Sequence, residues 1–151
     1  MPIMNITIIN GPNLQLLGLR EPGIYGSTTL EEIYQRLQGV ADSLDVKVRF
    51  FQSNHEGEIV DRIGDCLGDG TDGIVINPAA YTHSSIAIHD ALKAVSLPAV
   101  EVHISNISSR ESFRNVSMTA PACLGIIAGL GTNGYEWALR AIIKHLKQNR
   151  K

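Results

Sequence analysis

The feature that most narrows what this chain can fold into is an alternation, from one end to the other, of short apolar runs bounded by turn residues with segments whose apolar residues recur at helical spacing. Strand-length runs are Asn5 to Ile9, Val46 to Phe51, Gly73 to Ile76, Ala99 to Val102 and Leu124 to Ala128. Most are nearly uninterrupted in apolar character, as strands covered on both faces must be. Between the first two, Thr29 to Leu44 carries Leu30, Ile33, Leu37, Val40, Ala41 and Leu44 on one stripe, with a capping box expected from Thr28 and Glu31. A second helix follows Asn54, with Ile59, Val60, Ile63 and Leu67 inward and Gly68 to Gly70 as its stop. A third starts near Thr82 and carries Ile86, Ala87, Ala91 and Leu92, and a short helical piece starts at Ser109. The last begins at Asn133, with Glu136 three residues on, and ends among Lys144, Lys147, Arg150 and Lys151, where a helix dipole favours cations. Five strands joined by helices predict an α/β fold, a doubly wound parallel sheet of the flavodoxin-like order 2-1-3-4-5 in three layers.

With 151 residues, 44% of them hydrophobic and 19% charged, the chain is long enough for one domain, spanning residues 1–151, and too short on continuous apolar sequence for a membrane span. Thirteen basic against fifteen acidic residues leave a net charge of −2, which gives no long-range field to hold nucleic acid or an acidic membrane face. Any anionic partner is therefore expected to be small and locally held. Cys66 and Cys123, each in an apolar stretch, read as two buried thiols rather than a disulfide framework or a metal set. The first residues lack a basic n-region and a long apolar core, so the expected location is the cytoplasm.

Two connections are long for this architecture, where two to six residues are usual: Asn10 to Ser27 after the first strand and Ser105 to Pro121 after the fourth. Both leave the carboxyl edge of the sheet, where open α/β sheets bind ligands. The first is rich in Gly and Pro around Arg20 and Tyr25 and reads as a lid.

Glu101 and His103 are out of place in a buried strand, yet they occupy alternate positions and so share a face. A carboxylate there can accept from one ring nitrogen and leave the other to act as acid or base, although a satisfied ion pair without chemistry also fits. Asn13 and Asn77 could be turn asparagines, and His83 and Asp90, seven apart, could be a solvated helix face. Ser105, Arg110 and Arg114 could hold an anion or a diol, or could be ordinary loop residues. What joins these residues is place. Asn13, Arg20, Tyr25, Asn77, His83 and His103 all fall at or just beyond strand carboxyl ends, and together they suit proton transfer on a small oxygen-rich molecule.

Other motifs lead nowhere. Gly129, Gly131 and Gly134 form a G-x-G-x-x-G, but the chain ends 17 residues later without a following strand or a ribose-binding acid, so the glycines are read as tight turning and close packing. A phosphoryl-accepting module would need acids where Asn10 and Asn77 stand, and a flavin phosphate loop would be rich in Ser and Thr where Asn13 to Leu19 is mostly apolar. His55 and Glu56 lack partners at metal-ligand spacing, and no Walker lysine occurs.

The segments INGPNLQLLGLREPGIYG (Ile9 to Gly26), FQSNHEGEIVD (Phe51 to Asp61), INPAAYTHSSIAIHDAL (Ile76 to Leu92), VEVHISNISSRESFR (Val100 to Arg114) and CLGIIAGLGTNGY (Cys123 to Tyr135) resemble the type II 3-dehydroquinate dehydratases, in order and over nearly the whole chain. The resemblance implies reversible loss of water from 3-dehydroquinate to give 3-dehydroshikimate, by anti elimination through an enolate, with no metal or organic cofactor. It implies that Tyr25 takes the C2 proton, that Arg20 favours the ionised form of that tyrosine, and that Asn13 holds the water stabilising the enolate oxygen. His103 would protonate the departing C1 hydroxyl, oriented by Glu101. Asn77 with the backbone of Ile104 and Ser105 would form the carboxylate pocket, and His83 and Arg114 would bind ring hydroxyls. Asp90 would contact a neighbouring subunit, in a homo-oligomer of trimers packed into a dodecamer. Gln15, Gly64, His89 and Val116 depart from the residues common at their positions, all at the lid or periphery.

Overall fold

The computed structural model describes residues 2–19 and 21–150, so the expectation placed on Arg20 lies outside the described residues. Five strands, β1 (Asn5–Asn10), β2 (Lys47–Gln52), β3 (Gly73–Asn77), β4 (Ala99–His103) and β5 (Gly125–Ala128), form one parallel sheet in the order β2-β1-β3-β4-β5. The expected topology is the observed one. Among the described residues five α-helices accompany it: α1 (Pro22–Tyr25), α2 (Leu30–Ser43), α3 (Glu56–Asp65), α4 (Ile86–Val95) and α5 (Gly134–Gln148).

Period-two alternation divides the strand side chains between two layers. Ile6, Ile8, Val75, Val100 and Val102 pack with Ile33, Leu37, Leu139 and Ile142 of α2 and α5. Ile9, Ile74, Ile76 and Ala99 pack with Ile59, Ile63, Ile88 and Leu92 of α3 and α4. β3 and β4 are buried along their whole length. The two edge strands depart from the expected two-sided cover: β2 is only half-buried, and in β5 Ile126 is 44% exposed.

Local details depart from the periodic reading where a cap or a turn decides. The cap of α2 is Thr29, whose Oγ1 accepts from the Glu32 N–H at 3.2 Å and donates to its Oε1 at 3.2 Å, one residue later than the expected Thr28 and Glu31 pair. Thr29 has the extended backbone that a cap requires. Leu67 lies past the end of α3 and is 68% exposed rather than inward. The third long helix begins at Ile86, capped by Ser85 Oγ, which accepts from the Ile88 N–H at 2.9 Å. Ala79–His83 form a separate 3-10 turn, so His83 and Asp90 do not share a helix, and Ile86 and Ala87 face outward while Ile88, Leu92 and Val95 face in. The helical piece near Ser109 is a pair of 3-10 turns, Ile107–Ser109 and Ser112–Arg114. The described part of the first long connection is more structured than its Gly and Pro content suggests: a 3-10 turn at Leu14–Leu16 buries Leu14, Leu17 is buried beside it, and α1 carries Tyr25.

The glycine triplet turns and packs as expected. Gly129 has φ +83°, and Gly134 starts α5 where an added Cβ would lie 3.3 Å from Val102 Cγ2. Cys66 is buried and Cys123 is half-buried, and neither is in a disulfide. Among the described residues no helix is long and apolar enough to cross a membrane.

Candidate active site

β1, β3 and β4 end at the same edge in Asn10, Asn77 and His103. Gly11 N–H donates to the Asn77 carbonyl at 2.8 Å, and a Cβ on Gly11 would run into the Pro78 carbonyl, so only glycine lets the first loop leave so close to β3. The next residue but one, Asn13, adopts a left-handed backbone (φ 69°), which asparagine tolerates, and its N–H donates to Asn54 Oδ1 at 3.0 Å.

Above this edge lies a cavity of about 160 Å³. Asn13, Tyr25, Asn77, His83, His103, Ile104, Ser105, Arg110 and Arg114 line it together. Of the residues proposed from sequence, Glu101 stands behind His103 and is 0% exposed, while Asp90 does not line the cavity. The Asp90 side chain is 71% exposed and accepts from or pairs with His89 Nδ1 at 3.1 Å.

His103 Nε2 donates to Glu101 Oε2 at 2.9 Å, and because the carboxylate only accepts, the ring hydrogen sits on Nε2. That leaves Nδ1 as the nitrogen available to a ligand. Glu101 also accepts from Ser117 Oγ at 2.8 Å and from Thr119 Oγ1. Burial pushes this carboxyl upward, but the hydrogen bonds from His103, Thr119 and Ser117, with the nearby His103 ring, outweigh it and hold Glu101 below its usual range. The carboxylate in turn adds to the effect of burial on Cys123, whose thiol is pushed up to about 12. That sulfur is a protonated, unreactive group at neutral pH.

On the lid, the Tyr25 hydroxyl accepts from Arg110 NH1 at 2.9 Å, and the guanidinium carbon lies 5.4 Å from the ring centroid. Arg110 also donates to Ser105 Oγ at 3.3 Å. His83 Nδ1 donates to the Val116 carbonyl at 2.9 Å, which leaves its Nε2 as an acceptor. Arg114 is anchored by Nε donating to Glu111 Oε2 at 2.6 Å. Asn77 Oδ1 accepts from the Ala79 N–H at 3.1 Å, and its Nδ2 donates to the Tyr135 hydroxyl at 2.9 Å.

Sequence reasoning missed three groups. Arg110 reads from sequence as a holder of an anion or a diol, or as an ordinary loop residue, and its pairing with Tyr25 depends on the path of the Ser105 to Pro121 loop. Ser117 and Thr119 had an available signal, since a carboxylate in a buried strand needs more donors than one imidazole supplies. Tyr135, 58 residues from Asn77, had none.

The model of the family described as dehydroquinase class II matches residues 4–143. The 3-dehydroquinate dehydratase of Campylobacter hominis is 54% identical over 145 residues, covering 96% of this chain and 93% of its own. That of Acaryochloris marina is 56% identical over 143 residues, 95% of each chain. The crystal structure of type II dehydroquinase from Butyrivibrio crossotus superposes with a TM-score of 0.92 at 48% identity, covering 93% of this chain and 98% of that one. That of Propionibacterium acnes gives 0.87 at 42% identity, covering 97% and 99%. With a parallel sheet in the order of strands 2-1-3-4-5 and a family model that matches residues 4–143, the chain belongs to the class II dehydroquinase family.

Proposed function

We propose that the chain catalyses the reversible dehydration of 3-dehydroquinate to 3-dehydroshikimate by anti elimination through an enolate, with Tyr25 as base and His103 as acid. The observation that carries the reading is that a phenolic oxygen paired with a guanidinium at 2.9 Å and an imidazole paired with a buried carboxylate at 2.9 Å line one cavity.

Ionised Tyr25 removes the C2 proton, and the electron pair moves onto the C3 carbonyl oxygen. Arg110 places positive charge against the oxygen that must first lose its own proton, a role that resemblance also gives to Arg20. Water held by Asn13 supports the enolate oxygen. When the enolate collapses, the C1 hydroxyl leaves and takes a proton from Nδ1 of the His103 imidazolium, forming water. Glu101 keeps that ring in register, since Nε2 is already committed to it. The substrate carboxylate takes the Asn77 amide and the backbone of Ile104 and Ser105, while His83 Nε2 and the Arg114 guanidinium take ring hydroxyls. No step asks for a metal or an organic cofactor.

The edge strand β5 and the residues around it expose Leu124, Ile126 and Leu130, and Ile86, Phe113 and Val116 are exposed elsewhere. Apolar side chains beside an edge strand favour burial in an assembly, which supports a homo-oligomer; that it is one of trimers packed into a dodecamer, with Asp90 in contact across subunits, is what the resemblance adds. The reading places the enzyme in the cytoplasm, acting on a small molecule in aromatic biosynthesis or quinate breakdown.

The test is direct. Purified protein mixed with 3-dehydroquinate should generate the ultraviolet absorbance of a conjugated enone, and a folded preparation that generates none refutes the function.

A further inference from the structure

One wall of the cavity is held in a single orientation by a chain of hydrogen bonds that runs back to Tyr135, Asn10 and Tyr34, none of which lines it. The Ala79 N–H donates to Asn77 Oδ1 at 3.1 Å, and Asn77 Nδ2 donates to the Tyr135 oxygen at 2.9 Å. The Tyr135 hydroxyl donates to Asn10 Oδ1 at 2.6 Å, and Asn10 Nδ2 donates to the Tyr34 oxygen at 3.2 Å. Every bond in this chain runs the same way. Tyr135 has one hydroxyl hydrogen and it is committed to Asn10, so toward Asn77 it can only accept. The direction of the chain is set at its first link, because the Ala79 backbone N–H can only donate. Asn10 and Tyr135 are both 0% exposed, so no bulk water is at hand to replace a lost partner.

The consequence reaches the ligand. Asn77 is 3% exposed and lines the cavity, and with Oδ1 and one Nδ2 hydrogen occupied, its second Nδ2 hydrogen is left for whatever the cavity holds. A reversed amide would offer a carbonyl oxygen instead, which repels an anion. A phenylalanine at position 135 would fill the same space in the core but leave the Ala79 N–H as the sole hold on the amide and one Nδ2 hydrogen without its acceptor.

We propose that Tyr135 is a positioning residue for substrate recognition: with the Ala79 N–H, which fixes Oδ1, it holds the Asn77 amide so that an Nδ2 hydrogen faces the cavity as a donor to a carboxylate. The proposal rests on the reading of the cavity as the 3-dehydroquinate site. Its own geometry, however, can be tested without substrate.

Tyr135→Phe should raise KM for 3-dehydroquinate by at least about tenfold, the loss expected for a hydrogen bond to a charged group, with kcat changed by less than about threefold. The effect should vanish in an Asn77→Ala background, because there is no amide left to orient. A purely structural tyrosine would lower Tm and weaken both backgrounds equally, and that result overturns the proposal, as does an unchanged KM in the folded variant. In the wild-type protein, nuclear magnetic resonance should find two distinct, slowly rotating Asn77 side-chain hydrogens, the one on the Tyr135 hydroxyl protected from solvent exchange. An unprotected, freely rotating Asn77 amide overturns the proposal even if Tyr135→Phe does not fold. Absence of enone formation by the wild-type enzyme would instead strike the substrate reading, while the exchange measurement still decides the orientation of Asn77.

Discussion

Replacing Arg110 by Met removes the guanidinium from Tyr25 while keeping an unbranched apolar stem in its place. The geometry allows the cost to be worked out. Arg110 NH1 is 2.9 Å from the Tyr25 oxygen, and the arginine side chain is 14% exposed. Unit charges about 4 Å apart at an effective dielectric near 20 attract by about 4 kcal/mol. That is an upper figure, because the cavity opens to water and Arg110 Nε also lies 3.9 Å from the Glu111 carboxylate. A hydrogen bond to a charged group is worth about 1.5–3 kcal/mol on removal, so at about 1.4 kcal/mol per tenfold the expected loss is roughly 10- to 150-fold. A neutral phenol gains far less from the guanidinium than a phenolate does. The loss should therefore appear in kcat and leave KM nearly unchanged, and a C2-deuterium isotope effect on kcat should grow as proton removal becomes slower. Arg110→Lys should recover part of the rate by restoring a point charge without the fork. A folded Arg110→Met enzyme with kcat within about threefold of wild type, or with its whole defect in KM, would refute the reasoning.

Tyr25→Phe should leave fold and substrate binding largely intact while turnover falls by at least about 100-fold, which steady-state kinetics and equilibrium binding would separate. In His103→Ala, C2 hydrogen exchange into solvent should persist after enone formation has been lost, and equal loss of both would contradict separate acid and base roles. Glu101 is held below its ordinary value of 4.5, so the unfolded chain takes up this proton before the folded one does as pH falls. The stability it contributes is complete above about pH 4.5 and is lost as pH drops below that toward the depressed folded value. Wild-type Tm should therefore fall more steeply than that of Glu101→Gln as pH drops below about 4.5, and parallel profiles would count against the cluster.

The layers and strand order were legible because each strand announces itself by burial. Ile74, Val75 and Ile76 have no polar neighbour to place outward, which marks a two-sided strand, and alternation of such runs with helical stripes leaves few topologies. The same logic exposed Glu101 and His103, since a charged pair within such a strand needs a reason to be there. Boundaries were less legible where two residues could do one job. Thr28 and Thr29 are chemically alike, and the backbone angle at the cap, set by how α2 docks, chose the second. Ser85 hid the start of α4 in a similar way: its hydroxyl caps the helix, and His83 falls in the separate turn before it. Partnerships between loops were the least legible. Arg110 meets Tyr25 across 85 residues and Tyr135 meets Asn10 across 125, and no local pattern encodes either pairing.

Ser117 and Thr119 belong to the same long loop that supplies Arg110 and Arg114 to the cavity, and both anchor on Glu101. If that loop lifts away, the strand is left with an anion in an oily layer and a single imidazole for company. The imidazole simultaneously loses a firmly seated counter-ion. Docking of the segment and readiness of the proton donor are thus one event, and a half-built centre has no comfortable resting state. The span between Ser105 and Ser117 can be remodelled for a different guest only while the two hydroxyls at its base remain in place.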